Sequence, residues 1–429
     1  MSPIFSQLLC VFAVILNHRE SRNNRSPSFS ICTGTMDAAN VDAEFKPASQ
    51  TALSVIRDWD MKKGWVMNST RPSPGTHTLN EIMSQPSCWQ ECLNELERPG
   101  QLDKMPGRLA QEADWLFVGC GSSYYIALAA AASWAQLTGL RARAVPASEV
   151  LLFPDLLLTG KAPCQPVLIS RSGRTSEVLK AAEYLESTRK IRTLAISCAA
   201  DQPLGAICTI SLNLVPADEK STVMTRSFSS MLLGLQALAA AVAGKREFIE
   251  ALGRVPAAAQ AALEAMRPRI ASFVQLNEFN NYVFLGQGPF FGIASESHLK
   301  VKEMSCSCAQ CYHSLEFRHG PMSAVRPDTL MTFFLSESAY KAEREVLEEM
   351  KELGAKTLVV TNAADERARH AADLLIELNL DVPECARLVV HVLAGQLLGY
   401  YTALKKGMDP DNPRFLSRVV ILNEKAQGI

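Results

Sequence analysis

The chain has 429 residues, enough for two domains and a tail, and its 48% apolar and 20% charged content excludes wholesale disorder. A net charge of −1 excludes the broad positive field of a nucleic-acid binder. The 12 cysteines are scattered without the spacing of a small disulfide scaffold, so a reduced, cytoplasmic setting is expected.

In chain order, residues 8–16 form an apolar run too short for a bilayer, which takes about 20 residues. No Lys or Arg precedes it, and His18-Arg19-Glu20-Ser21-Arg22 follows in place of a small-residue cleavage site, so neither membrane attachment nor secretion is expected. Residues 22–78 are polar and without a period. Together, 1–78 read as a disordered extension, with Met36, Met61 and Met67 as alternative starts. From Leu79 the spacing of Ile82, Trp89, Cys92 and Leu93 predicts an amphipathic helix. A strand then runs from Trp115 into Gly119-Cys120-Gly121-Ser122-Ser123, followed by a small-residue helix over 124–137.

Short apolar segments at 142–145, 167–170, 193–197 and 210–215 alternate with helical or turn-like stretches, and 231–242 closes the unit as an apolar helix. That alternation predicts a parallel sheet with helices on both faces. After a helical link over 245–280 the plan restarts with a strand from Tyr282 and a helix over 291–303. Strands follow at 331–335, 357–360 and 374–378, with a long apolar helix over 386–404. The expected architecture is α/β: two tandem doubly wound parallel-sheet domains with flanking helices, 79–250 and 251–429, the second carrying a C-terminal tail.

Between the strand at 167–170 and the next helix lies Ser170-Arg171-Ser172-Gly173-Arg174-Thr175-Ser176. Glycine lets backbone approach an anion, free amides at a helix start point toward it, and hydroxyls and arginines add donors and charge. Such turns also occur with no ligand, so the reading depends on its neighbours. The second unit offers Ser336-Glu337-Ser338-Ala339 instead, with no glycine and an acidic residue that repels phosphate, so one phosphate pocket per chain is expected. Ligands bind at the carboxyl ends of strands in such sheets, so the turn at 119–123 belongs to the same rim. A dinucleotide fingerprint is absent: Gly286-x-Gly288-x-x-x-Gly292 has one residue too many. No Gly-x-x-x-x-Gly-Lys loop is present, which disfavours nucleoside triphosphates.

The densest polar cluster is His298-Leu299-Lys300-Val301-Lys302-Glu303, with Arg318-His319-Gly320-Pro321 beyond it. Lys300 and Glu303 share a helix face, so the cation can hold the carboxylate ionised for proton transfer at a sugar carbon, and a histidine can assist ring opening. The competing reading is a solvated helix whose charges pair idly, with His319 structural. Cys306-x-Cys308-x-x-Cys311-x-His313 suggests a metal, but a helix would turn Cys306 and Cys308 apart and no second Cys/His pair lies near. Packing is the expectation there, with no metal and no cofactor.

Four segments together carry a resemblance: Ser170-x-Ser172-Gly173-x-Thr175, Lys300-x-Lys302-Glu303, Glu316-x-x-His319-Gly320-Pro321 and Lys406-Gly407-x-Asp409-x-Asp411-x-Pro413-Arg414. Over residues 80–429 the chain resembles the isomerase half of glutamine–fructose-6-phosphate aminotransferase, a tandem of two sugar-isomerase (SIS) domains. The resemblance implies that Ser170, Ser172, Thr175 and the main-chain amide of Arg171 bind a sugar phosphate, and that Ser123 lines the sugar pocket. It also implies that Glu303 is the isomerising base, that Lys300 steadies the substrate, and that His319 aids ring opening from the neighbouring subunit of a homodimer.

Ser221-Thr222-Val223-Met224-Thr225-Arg226-Ser227-Phe228-Ser229-Ser230-Met231 is similar to the tagatose-6-phosphate isomerase/deaminase branch, which implies that Thr222 contacts the sugar. Two departures stand out. Nothing before residue 80 resembles the glutamine-hydrolysing domain, so ammonia from glutamine is not expected. The family's imine-forming lysine is replaced in Pro413-Arg414-Phe415-Leu416-Ser417-Arg418 by Arg418, whose guanidinium cannot form an imine but can bind a sugar hydroxyl; Lys425 is a conceivable substitute. The expected function is a hexose 6-phosphate isomerase or an amino-sugar-phosphate deaminase or transaminase, against the rival of a non-catalytic sugar-phosphate sensor.

Overall fold

The computed structural model describes residues 73–422, except 111 and 160–162. The apolar run at 8–16, the alternative starts, Lys425 and the expected extension up to residue 72 lie outside the described residues. Two helices come first, α1 (Thr76–Met83) and α2 (Gln85–Glu97). Helix thus begins at Thr76, inside the expected extension, and the single helix expected from Leu79 is broken. Pro86 explains the break: it lacks an N–H and is accepted in the first turn of a new helix, not in the middle of one.

The first unit comprises β1 (Asp114–Gly119), α3 (Ser122–Thr138), β2 (Ala142–Pro146), β3 (Cys164–Ile169), α4 (Ser176–Glu183), β4 (Leu194–Ser197), β5 (Ile210–Asn213) and α5 (Arg226–Val242). Its strands are parallel in the order β2-β1-β3-β4-β5. After the linking α6 (Arg246–Leu276) come β6 (Asn281–Gly286), α7 (Phe290–Ser305), β7 (Cys308–Tyr312), β8 (Thr329–Phe334), α8 (Tyr340–Glu352), β9 (Lys356–Thr361), β10 (Leu374–Glu377) and α9 (Leu388–Lys405). The second sheet, also parallel, reads β7-β6-β8-β9-β10, the same winding as the first. The doubly wound duplication expected from the sequence is present.

Side chains alternate across each sheet. Leu116, Val118 and Leu168 face Val178, Ala181 and Leu185 on one side of the first sheet. Phe117 and Ile169 face the other side and join one continuous core with Phe284, Phe334 and Leu358 of the second sheet and the apolar helices α5 and α9. Leu285, Phe333 and Val359 close the far face against Val346, Leu347 and Met350 of α8.

One segment differs from the sequence reading. Residues 308–312, where a helix was considered, are the edge strand β7, with Ala309 opposite Tyr282 of β6. An edge strand needs no apolar run, and Cys308 and Gln310 are exposed. Among the described residues, no helix is long and apolar enough to cross a membrane.

The crossing of α7 and α9 fixes the site described below. A Cβ on Gly395 would lie 2.1 Å from Ser297 Oγ and 2.9 Å from Ser297 Cα, and one on Gly399 would lie 2.9 Å from the Lys300 carbonyl oxygen. Only glycine lets α9 approach α7 this closely. Gly395→Ala is expected to lower stability by about 1–3 kcal/mol through overpacking, despite a helix-propensity gain of about 1 kcal/mol. The midpoint of chemical denaturation reads this, and an unchanged or raised midpoint would refute the close crossing.

Candidate active site

Val118 of β1 lies opposite Leu168 of β3, so the turns at 119–123 and 170–175 emerge side by side at the carboxyl edge of the sheet. In the second turn Ser170 Oγ and Thr175 Oγ1 are 3.1 Å apart, and Ser172 Oγ accepts the Arg174 N–H at 3.2 Å. Gly173 has φ +60°, and a Cβ there would fall 2.1 Å from Gln202 Oε1. The main-chain amides of Arg171 and Ser172 find no acceptor among the described residues. Free amides ringed by hydroxyls form a concave donor set suited to an anion.

The charge is arranged differently from expectation. Arg171 is buried, with Nη1 3.3 Å from Glu219 Oε2 and Nη2 donating to the Arg418 carbonyl at 2.8 Å. Its positive charge is therefore spent on Glu219, and its amide is what remains for the cradle. Exposed Arg174 has no carboxylate partner among the described residues; its Nη2 lies 3.5 Å from the Asp201 carbonyl. Glu219 also accepts the Thr225 N–H and hydroxyl at 2.6 and 2.8 Å. Glu81 of α1 accepts the Ser221 N–H at 3.3 Å, and burial, reinforced by Glu219, pushes its carboxyl above the usual range. These two buried carboxylates hold the segment carrying half-buried Thr222, a support that local sequence gave no sign of.

The cluster on α7 is not a solvated face. Lys300 is 0% exposed; its Nζ lies 2.6 Å from Glu303 Oε2 and 3.1 Å from Glu296 Oε1 and donates to Ser122 Oγ at 3.2 Å. Ser122 in turn donates to Glu296 Oε1 at 3.1 Å. The first turn of α3 is thereby bonded to α7, and the turn at 119–123 stands next to both the anion cradle and the cluster. Glu296 was missed in the sequence; the signal was its place one turn before Lys300. Burial pushes the Glu296 carboxyl up to about 8, Glu303 pushes the same way and Lys300 opposes both. Among the described residues Glu296 Oε2 has no partner. Burial works against the Lys300 cation, but the two carboxylates outweigh it and raise its pKa above the ordinary lysine value. One cation between two carboxylates in a dry site leaves Glu296 as the proton holder. Lys300 then serves Glu303, which keeps 20% side-chain exposure.

The remaining predicted residues are more dispersed. Ser123 is buried in the first turn of α3, its N–H bonded to the Cys120 carbonyl at 3.1 Å. His319 is exposed just after the turn Glu316–Arg318, and among the described residues no hydrogen bond or ion pair joins it to the cluster. Its loop is anchored by Arg318, which grips Glu349 of α8 through two 2.7 Å bonds. Arg418 pairs with Asp218. The tail then crosses the start of α4: Ser176 N donates to the Val420 carbonyl at 3.3 Å, and Leu422 N donates to Ser176 Oγ at 3.0 Å. Asp409 and Asp411 clamp the start of α1, accepting the amides of Gly75, His77 and Thr78 at 2.8, 3.0 and 2.7 Å. His298 is packing: burial, then Lys302, pushes it down to about 4. His313 stacks on Phe291 with ring centroids 3.9 Å apart. Among the described residues no cluster of three His, Cys, Asp or Glu is placed to hold a metal ion.

Glu296 makes folding pH-dependent. Its folded pKa of about 8 exceeds the ordinary 4.5, so its stabilising contribution is full below 4.5 and is lost as pH rises through 8. Glu296→Gln removes that loss. Denaturation midpoints compared between pH about 5 and 9 should show the variant gaining on the unmodified chain as pH rises; a difference that stays flat would show Glu296 ionised throughout.

The sequence model of the SIS domain matches residues 108–241 and 275–400. A glutamine–fructose-6-phosphate aminotransferase of Methanothermobacter thermautotrophicus is 27% identical over 354 residues, 80% of this chain and 57% of that protein. The chain spans about half the length of the curated relatives it matches. The crystal structure of a glucosamine-6-phosphate deaminase from Thermotoga maritima is 30% identical, with a TM-score of 0.67 over 81% of this chain and 100% of that one. A tagatose-6-phosphate ketose/aldose isomerase from Escherichia coli shares the fold at 22% identity, with a TM-score of 0.70 over 83% of this chain and 99% of that one. With the family's domain matched twice, in the two sheets that carry the cradle and the cluster, this chain belongs to the SIS domain family.

Proposed function

We propose that this chain is an aldose–ketose isomerase of hexose 6-phosphates whose substrates include an amino-sugar 6-phosphate that it deaminates. The observation that carries the reading is the buried Lys300 between Glu296 and Glu303, bonded through Ser122 to the turn beside the anion cradle. A pure receptor has no use for a carboxylate backed by a dry cation. Ser170, Ser172, Thr175 and the Arg171 amide hold the phosphate. Ser123 and Thr222 line the sugar, and Glu303 moves a proton between C1 and C2 through an enediol. His319 opens the ring in the site of a second copy, a role its exposure supports.

For an amino sugar, proton transfer from C2 to C1, with a second proton passing from the amine nitrogen to O1, gives the ketose imine. Water adds, ammonia leaves and fructose 6-phosphate remains, so atoms and charge balance. Arg418 supports this direction over synthesis through a lysine imine, since its guanidinium cannot form one and is paired with Asp218. The identity to the Thermotoga deaminase points the same way.

The test is exchange of the C1 or C2 proton of fructose 6-phosphate and glucosamine 6-phosphate in deuterated water. Glu303→Gln should slow exchange about 10²–10⁴-fold with phosphosugar binding retained. Ser172→Ala should instead weaken binding of every phosphorylated sugar by roughly tenfold, the loss of one hydrogen bond to a charged group. No exchange by the unmodified chain on either sugar rules out the proposed chemistry, and equal binding of phosphate-free sugars rules out the cradle.

A further inference from the structure

In the second sheet β8 holds the place that β3 holds in the first, so Ser336-Glu337-Ser338-Ala339 is the spatial counterpart of the anion cradle. The sequence suggests that it is idle because it lacks glycine and carries Glu337. The structure adds a different reason: its donors are already taken. Glu384, which follows β10, accepts the N–H of Glu337, the N–H of Ser338 at 3.4 Å and the Ser338 hydroxyl at 2.8 Å. Glu343 of α8 accepts the Ser336 N–H and hydroxyl at 2.8 and 2.6 Å.

The charges of the two turns are exchanged. In the first unit the turn's Arg171 pairs with Glu219 of the segment after β5, and the amides of Arg171 and Ser172 have no acceptor among the described residues. In the second the turn's Glu337 pairs with buried Arg387 of the segment after β10, and a carboxylate of that same segment covers the amides. Glu384 lies 46 residues from Ser338 in sequence, so this is a long-range contact and not a local turn bond.

We infer that the second unit retains an anion-binding turn occupied in cis by the carboxylate of Glu384, a site that accepts a small oxyanion such as inorganic phosphate once that carboxylate is removed. Two main-chain amides and a hydroxyl converging on carboxylate oxygens are the donor set that a phosphate oxygen would use. The inference does not depend on the reaction proposed for the first unit.

Inorganic phosphate is the probe, titrated into the full chain at constant ionic strength while the backbone amide resonances of Glu337 and Ser338 are followed by NMR. In the unmodified protein these two signals should not respond. In Glu384→Ala they should shift saturably, with an apparent affinity at least about tenfold higher than in the unmodified chain. Unresponsive signals in the folded variant, or an equal response in the unmodified protein, overturn the inference. Deuterium exchange supplies a test on the unmodified protein alone: added phosphate should not slow exchange at Glu337 and Ser338. Slowing there overturns the occupancy by Glu384 even if the alanine variant fails to fold.

Discussion

A fully buried lysine shared by two carboxylates of its own helix and a serine of the other unit is the constraint around which this molecule is arranged. Taking these charges out of water costs several kcal/mol per ion, a cost offset only if every partner stays in place. The requirement reaches outward. Helix α7 must be pressed against α9, which the glycines at 395 and 399 allow, and against the start of α3, which brings Ser122. The two sheets are therefore locked together by the same contact that equips the site.

The frame occurs twice and the open turn once. Both sheets wind identically and both present a hydroxyl-bearing turn after the central strand. What separates them is one exchange of charge. Arg171 is drawn aside by Glu219, whereas Glu337 is drawn aside by Arg387 and Glu384 fills the gap. A few side chains on the segment after the fifth strand thus decide whether a turn is open, with no change in fold.

The strands at 114–119, 164–169 and 329–334 were legible because buried parallel strands are apolar on both faces and end in abrupt turns. Strand β7 was not, because an edge position asks for no apolar pattern and its cysteines suggested other chemistry. Lys300 and Glu303 could be paired from spacing alone. Their burial could not, since it comes from α9, nearly a hundred residues further on in sequence. Arg171 shows the same limit: its neighbours suggested a phosphate ligand, and partners far along the chain, Glu219 48 residues away and the Arg418 carbonyl 247 residues away, turn the side chain elsewhere. Local pattern reports what a segment can do, and distant partners decide which option is taken.

Asp409 and Asp411 bond to residues 334 positions earlier, so the tail and the first helix are closed into a ring. The ring has a mechanical continuation. Helix α1 carries Glu81, and Glu81 holds the amide and hydroxyl of Ser221 beside Thr222. The same tail bonds Ser176 and Arg171 at the cradle. A protease that nicked the chain near Pro413 would cut no side chain of the site. It would nonetheless slacken two segments at once, the one carrying Thr222 through α1 and the turn at 170–175 directly.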